Sequence, residues 1–391
     1  MTLKQIATLL NNSIMKNEIP EGSSFTQIAE DLNNLVELGQ LVTQWTAETF
    51  KNFQENLAVN VRTIVLTELL ERKDFAMFKD SIEYGGAIQR VMATNLYSAT
   101  DNVTLNPQNG TDYMDGVFKG TELSTKVYKD IKTFDVEYSI SSNMWKHAFD
   151  SAENITKIIS IIYNTERNTI TKELNALSKR IITQMIIKAC EGGRVIHLLS
   201  KFNEMMGRGV EGKPNYTRAD IKADRLLYSY FSDYAKAVQA KLSEYVRNIN
   251  KKYNDGSVIN FTPVDKIHTI MLVDFATDVK FIGDPVDFNI PSGGNSIEVC
   301  DAWQTTGLSI LPSFDDVSTI KYLDGEQTKT LNNIVGVIYD TDTCGITQIQ
   351  DSITSQYVGK GDFTNYYHHL AHEYFYDSRL GSVVLSFDWL K

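Results

Sequence analysis

The sequence predicts an α+β chain, and three observations carry that reading. Apolar residues recur at helical spacing over long stretches, the period falls to 2 between residues 85 and 143, and short turn-bounded strands return after residue 267. Size and composition permit such a fold. The 391 residues correspond to two or three domains at roughly 150 residues each. A hydrophobic share of 42% with 22% charged residues excludes a disordered chain or a collagen-like fibre, and only 7 prolines argue against linkers.

The first 75 residues read as helices. Leu3, Ile6, Leu10 and Ile14 fall at helical spacing until Pro20 and Gly22 interrupt them. Ser24 and Gln27 then have the spacing of a capping box, continued by Ile28, Leu32 and Leu35. Beyond Gly39, the residues Phe50, Phe53, Leu57, Val61, Ile64 and Val65 form one apolar stripe, which must be buried against another element.

Residues 85–143 read as β structure with an extended loop. Asn106-Pro-Gln-Asn-Gly110 is a turn signal, placed here at the loop's tip. Phe134, Val136, Tyr138 and Ile140 alternate with Asp135, Glu137 and Ser139, which gives a strand with one dry and one wet face. The flanking residues 121–132 carry Glu122, Lys126, Lys129, Asp130 and Lys132 and leave little for a core, so this polar hairpin is expected to lie on a neighbour.

Asp150 and Glu153 suggest another capping box, after which neither proline nor glycine occurs until Gly192-Gly193. One helix of roughly 38 residues would run ~57 Å at 1.5 Å per residue, long enough to be a spine. Ile155, Ile158, Ile162, Ile170, Leu174, Leu177, Ile181 and Met185 supply its apolar stripe. Residues 195–206 read as a shorter helix. Thr217 and Asp220 open a third long helix, in which Leu227, Phe231, Tyr234, Val238, Leu242, Tyr245, Ile249 and Tyr253 are expected to pack on a sheet rather than in a coiled coil. Strands are then expected at 267–273, 297–303, 307–311, 334–339, 346–357 and 382–387, separated by turns at 283–285, 291–294, 324–325 and 359–361.

Charge and cysteine usage narrow the function classes. Thirty-eight Lys and Arg against 49 Asp and Glu give a net charge of -11 and a pI near 5.1, which disfavours a globally basic nucleic-acid binder and leaves room for a local basic face. An odd set of three cysteines, Cys190, Cys300 and Cys344, fits a reducing compartment without a disulfide framework. The N-terminus lacks the apolar run of a signal peptide. The most apolar stretch, residues 155–163, is far short of the ~20 residues that span a bilayer, so no membrane partner is expected.

Each local motif fails on its chemical context. Gly207, Gly212 and Lys213 have P-loop spacing, but Pro214 stands where a hydroxyl should hold Mg²⁺. The same loop also matches G-x-G-x-x-G, yet it follows a helical segment instead of a strand. His368 and His372 would share one face of a helix at a zinc-binding spacing, but Glu373 follows the last histidine, where it is not placed as a general base. Asp340, Asp342, Cys344 and Asp351 echo a calcium loop without the preceding helix, and read as a turn. Asp315 and Asp316 read as solvated turn acids, and neither Cys190 nor Cys344 has a histidine within a few residues. No residue is therefore assigned a catalytic, cofactor-binding or metal-binding role, and no cofactor is expected.

The order of elements resembles the Hong Kong 97-type major capsid proteins of tailed phages. Three segments are similar: Tyr138-Ser-Ile-Ser-Ser-Asn-Met-Trp-Lys-His-Ala-Phe-Asp150 leading into the spine, Asn333-Ile-Val-Gly-Val-Ile-Tyr-Asp340, and the closing Gly381-Ser-Val-Val-Leu-Ser-Phe387. Length and style look most like the head proteins of small short-tailed phages (podoviruses) of Gram-positive hosts.

That resemblance, over residues 60–391, implies a non-enzymatic subunit of an icosahedral shell around double-stranded DNA. It implies a helical arm at 1–75, an extended loop and the start of a peripheral domain at 76–143, a peripheral domain with the spine helix at 144–193, an axial domain at 194–345, and a return to the peripheral domain at 346–391. Implied partners are further copies in hexamers and pentamers, a scaffolding protein, a portal protein and packaged DNA contacted non-specifically. The expected location is the virion capsid, assembled in the host cytoplasm. An encapsulin-like nanocompartment shell has the same fold and would require a cargo-peptide groove, while a metal- or nucleotide-dependent enzyme would have to use the histidine cluster or the glycine loop.

Overall fold

In the computed structural model, residues 3–14, 27–30, 37–40, 45–71, 88–97, 107–111, 120–148, 151–248, 251–279, 296–304 and 312–387 are described. The first apolar repeat becomes helix α1, Leu3–Ser13, which buries Ile6, Leu9 and Leu10. Helix α2, Ala47–Glu71, buries Phe53, Leu57 and Val61 of the expected stripe. The capping position Ser24, with Leu32 and Leu35, lies outside the described residues.

Strands β1, Gln89–Ala93, and β2, Leu123–Val127, pair with each other. At the expected loop tip, Gly110 adopts φ +84, the left-handed region that the turn requires. Strand β3, Asp130–Ser141, leaves this hairpin and from Phe134 to Ile140 alternates between covered and exposed residues as its sequence predicts. Helix α3, Ser142–Ala148, leads into the spine helix α4, Ala152–Glu191, whose 40 residues extend about 60 Å. The cap is Ser151, not Asp150: its hydroxyl accepts from the Asn154 amide at 3.2 Å.

The segment expected as a short helix at 195–206 is a strand followed by a helix, β4, Val195–His197, and α5, Leu198–Met205. The third long helix is likewise divided, because the Asp224 carboxylate caps the amides of Leu226 and Leu227 and restarts the helix. It forms α6, Arg218–Ala223, opened by the expected Thr217–Asp220 capping box, and α7, Arg225–Arg247. The buried stripe of α7 runs through Leu227, Phe231, Ala235, Gln239, Leu242 and Val246, while Tyr245 faces outward and Tyr253 lies beyond the helix end.

The remaining elements are β5, Ile267–Leu272; α8, Val273–Asp278; β6, Ser296–Cys300; α9, Phe314–Ser318; β7, Ile320–Asp324; β8, Gln327–Leu331; β9, Ile334–Asp340; β10, Cys344–Val358; β11, Phe363–Tyr376; and β12, Ser382–Ser386. The expected strand at 307–311 and the turns at 283–285 and 291–294 fall outside the described residues. The strand expected to reach Trp303 ends at Cys300, and the Trp303 indole turns into the core to donate to the Ile334 carbonyl at 2.8 Å.

Two sheets organise the chain. The larger has strand order β4-β12-β9-β5-β6, and an antiparallel three-stranded sheet has order β10-β11-β3. The described part of 346–391 is thus shared between both sheets, since β10 and β11 belong to the smaller sheet and β12 to the larger. Gly336 lets β9 approach β5, because a side-chain carbon there would sit 3.1 Å from the Ile270 carbonyl oxygen.

Each sheet covers a separate apolar core, and the spine helix contributes to both. Ile155, Ile159, Tyr163, Ile170 and Leu174 join α1, α2, α3, β3 and β11 in the first core. Leu177, Ile181, Ile182, Met185, Ile186 and Ala189 join α5, α7 and the five-stranded sheet in the second. Phe202 and Phe231 meet there edge to face at 5.4 Å. Among the described residues, no helix is long and apolar enough to cross a membrane.

Candidate assembly surface and its buried anchor

In the β1–β2 register, Val91 lies opposite Thr125, so Val91, Leu123 and Val127 share one face of the ribbon. They are 51%, 64% and 47% exposed. Ile131 at the start of β3, and Leu96 and Tyr97 just beyond β1, are also exposed. A two-stranded ribbon is marginal by itself, and the apolar Val91, Leu123 and Val127 share their face with Gln89 and Thr125.

A buried ion pair holds the base of this ribbon. Arg379, between β11 and β12, makes a bidentate contact with Asp377, donating from Nε at 3.0 Å and from Nη2 at 2.9 Å. Its Nη1 donates to the Ser124 carbonyl at 2.8 Å and its Nη2 to the Arg90 carbonyl at 3.3 Å, one from each strand of the ribbon. Arg90 in turn reaches the Asp342 carbonyl at 2.5 Å and lies over the Phe375 ring at 5.3 Å. Burial would raise the Asp377 carboxyl, but the hydrogen bonds and charge of Arg379 outweigh it and hold Asp377 below its ordinary value. Sequence reading missed this anchor, because Asp377-Ser-Arg379 matches no motif and its partners lie more than 250 residues away.

The histidine cluster stands on strand β11, not on a helix. A separation of four places residues on one face of either element, so His368 and His372 still point together into the first core while His369 points outward. His368 is in hydrogen-bond contact with Glu166 through Nδ1 at 2.7 Å and with Asp351 through Nε2 at 2.8 Å. His372 stacks on Phe134 at 5.6 Å, and burial pushes it down to about 4, so it is neutral at pH 7. His369 contacts Asp135 and Thr354, each at 2.9 Å. Glu373 does not join the paired histidines, since it alternates to the other face of the strand.

With both ring nitrogens of His368 committed to carboxylates, no lone pair is left for a metal, and no group of three such side chains among the described residues is arranged to hold one. One equivalent of Zn²⁺ is expected to leave the thermal unfolding midpoint unchanged. A site with Kd a hundredfold below the free metal would add about 2.7 kcal/mol of stability, visible by calorimetry.

The other motifs resolve into a glycine loop, a strand end and a short helix, and Asp315 and Asp316, expected in a turn, stand in the first turn of α9. Gly207, Gly209 and Gly212 all have positive φ, and the amides of Gly209 and Lys213 are consumed inside the loop by the carbonyls of Lys213 and Val210, at 2.8 and 2.9 Å. Those two amides are therefore already used within the loop. Asp340 accepts from the Asp342 amide at 2.8 Å and from the Thr262 hydroxyl at 2.6 Å, and burial raises its pKa. Asp316 caps α9 with Ser313, and Asp315 pairs with Arg218 at 2.9 Å. Burial pushes Cys190 up to about 12 and Cys300 up to about 11, so both stay protonated thiols at pH 7.

The model of a family described as Phi29-like phage major capsid protein matches residues 12–384. Among solved structures, the capsid of Staphylococcus phage Andhra aligns at 9% identity and TM-score 0.47, covering 81% of this chain and 83% of that one. The capsid of Cyanophage P-SCSP1u aligns at 12% identity and TM-score 0.43, covering 80% and 86%. A satellite phage P4 procapsid that includes the size determination protein aligns at 10% identity and TM-score 0.39, covering 83% and 99%. No curated protein sequence matches the chain.

Proposed function

The chain belongs to the Phi29-like phage major capsid protein family and is a shell-forming subunit of the virion capsid, and from that premise we propose how it builds the shell. The β1–β2 ribbon lays its apolar face on a neighbouring copy, and the buried Arg379–Asp377 pair sets the angle at which the ribbon leaves the subunit. The observation that carries this reading is the combination of exposed Val91, Leu123 and Val127 with a base clamped through Ser124 and Arg90. A flexible ribbon would lose conformational entropy on docking, whereas a clamped one is already oriented.

In this proposal the contact is heterologous, so successive copies close into hexamers and pentamers when the rotation permits. Residues 1–75 act as an arm, 76–143 as the extended loop and start of the peripheral domain, 144–193 as the spine-bearing peripheral domain, 194–345 as the axial domain, and 346–391 return toward the peripheral domain. The shell assembles in the host cytoplasm with a scaffolding protein and a portal, in the manner of short-tailed phages of Gram-positive hosts. It encloses double-stranded DNA without sequence readout, a role compatible with a net charge of -11 because the wall contains the DNA and does not recognise it. No catalytic step is assigned to the chain.

Light scattering with negative-stain imaging, on protein expressed with and without the scaffolding protein of the same genome, tests this reading. Closed shells, rings or regular tubes are expected. A monodisperse monomer or dimer under both conditions would overturn it.

A further inference from the structure

The spine helix serves two cores, and a buried charge holds it at the first of them. Glu166 lies in the half of α4 that packs into the first core, and its side chain is 1% exposed. His368, fully buried on β11, bridges it at 2.7 Å to Asp351 of β10 at 2.8 Å. Helix α4 and the β10–β11 hairpin, separated by 202 positions between Glu166 and His368, therefore meet on one imidazole ring.

Carboxylates only accept hydrogen bonds, so the ring satisfies both of them only as an imidazolium with a proton on each nitrogen. Losing one proton would turn a lone pair toward a carboxylate in a buried site, which breaks one charge-assisted bond and leaves a charge without its partner. The titratable groups around His368 are Glu166 on α4, Asp351 on β10 and His372 on its own strand. From β3 the residue opposite His368 is the apolar Val136, and exposed Lys132 lies opposite His372.

We propose that the Glu166–His368–Asp351 contact is a proton-operated latch, which ties the first half of the spine helix to the three-stranded sheet and releases that half alone when His368 becomes neutral. The second half stays seated, because Leu177 to Ala189 pack in a separate core that contains none of the three residues. The latch is a property of the folded subunit and does not depend on the docking proposed for the β1–β2 ribbon.

The direction of the pH effect follows from the geometry. Burial lowers the His368 pKa, but the hydrogen bonds to Asp351 and Glu166 outweigh it and raise it above the ordinary value of 6.5. The stabilisation is complete below that value and is lost as pH rises through the raised one.

Hydrogen exchange of the unassembled full-length chain between about pH 6 and pH 9, corrected for intrinsic rates, tests the latch. Protection of peptides from residues 152–174 is expected to fall by up to about tenfold per pH unit within the window, relative to peptides from 177–191. His368→Gln should abolish this difference, and His369→Gln should retain it. Equal pH dependence in both halves, or a difference that persists in His368→Gln, would overturn the latch. If His368→Gln does not fold, the comparison of the two halves in the unaltered protein decides.

Discussion

Replacing Val91, Leu123 and Val127 together with aspartate is expected to abolish shell formation and leave the subunit folded. The three side chains are about half exposed or more, so their removal takes little from either core. Burial of such exposed area against a neighbour contributes about 1 kcal/mol per side chain, and roughly 3 kcal/mol for three weakens a contact on the order of a hundredfold. A buried aspartate without a partner adds a further desolvation cost. Since the contact repeats around every ring, the loss is compounded through the shell. Light scattering should show dispersed subunits with an unchanged circular dichroism spectrum. Intact shells from the triple variant would remove the ribbon from the assembly surface.

Arg379→Ala is expected to reduce both stability and assembly, because it removes the bidentate partner of the buried Asp377 carboxylate and leaves only the Arg90 guanidinium, at 3.5 Å, beside it. Leaving a buried charge wholly unpaired costs about 3–5 kcal/mol; with Arg90 still near Asp377 the loss is expected below that range, and urea denaturation would measure it directly. The double variant Asp377→Leu with Arg379→Met separates the two effects. Apolar residues of similar volume should restore most of the stability, yet the carbonyls of Ser124 and Arg90 still lose their donor, so assembly remains impaired. The pair also predicts a limit at low pH. Asp377 is held below its ordinary value near 3.8, so its stabilisation is complete above that pH and is lost as pH falls through the depressed value. A single variant within about 1 kcal/mol of the parent would exclude the anchor.

The parts legible in the sequence are those whose determinants are local. The spine helix follows from an apolar stripe without proline or glycine between a serine cap and Gly192, and only the capping residue shifted by one position. The alternation of β3 was equally direct, because one face is dry along most of the strand. Asp224 shows where local reading failed: inside an otherwise continuous helical pattern, its carboxylate satisfies two amides and starts a new helix.

Strand β11 was ambiguous for a different reason. The spacing of His368 and His372 is a multiple of the strand period and close to one helical turn, so it fits both elements. Pairing with β3 and β10 decides between them, and β3 is more than 200 residues away in sequence.

By itself, the sequence determined the α+β class, the long helix and the one-sided strand, because periodicity, capping and turn chemistry act over a few residues. Tertiary structure alone decided that His368 is an internal ion bridge, that Arg379 clamps a ribbon from another part of the chain, and that one helix serves two cores. Those outcomes depend on burial and on partners brought together by sheet pairing, and a buried charge is stable only where the complete fold supplies its counter-charge.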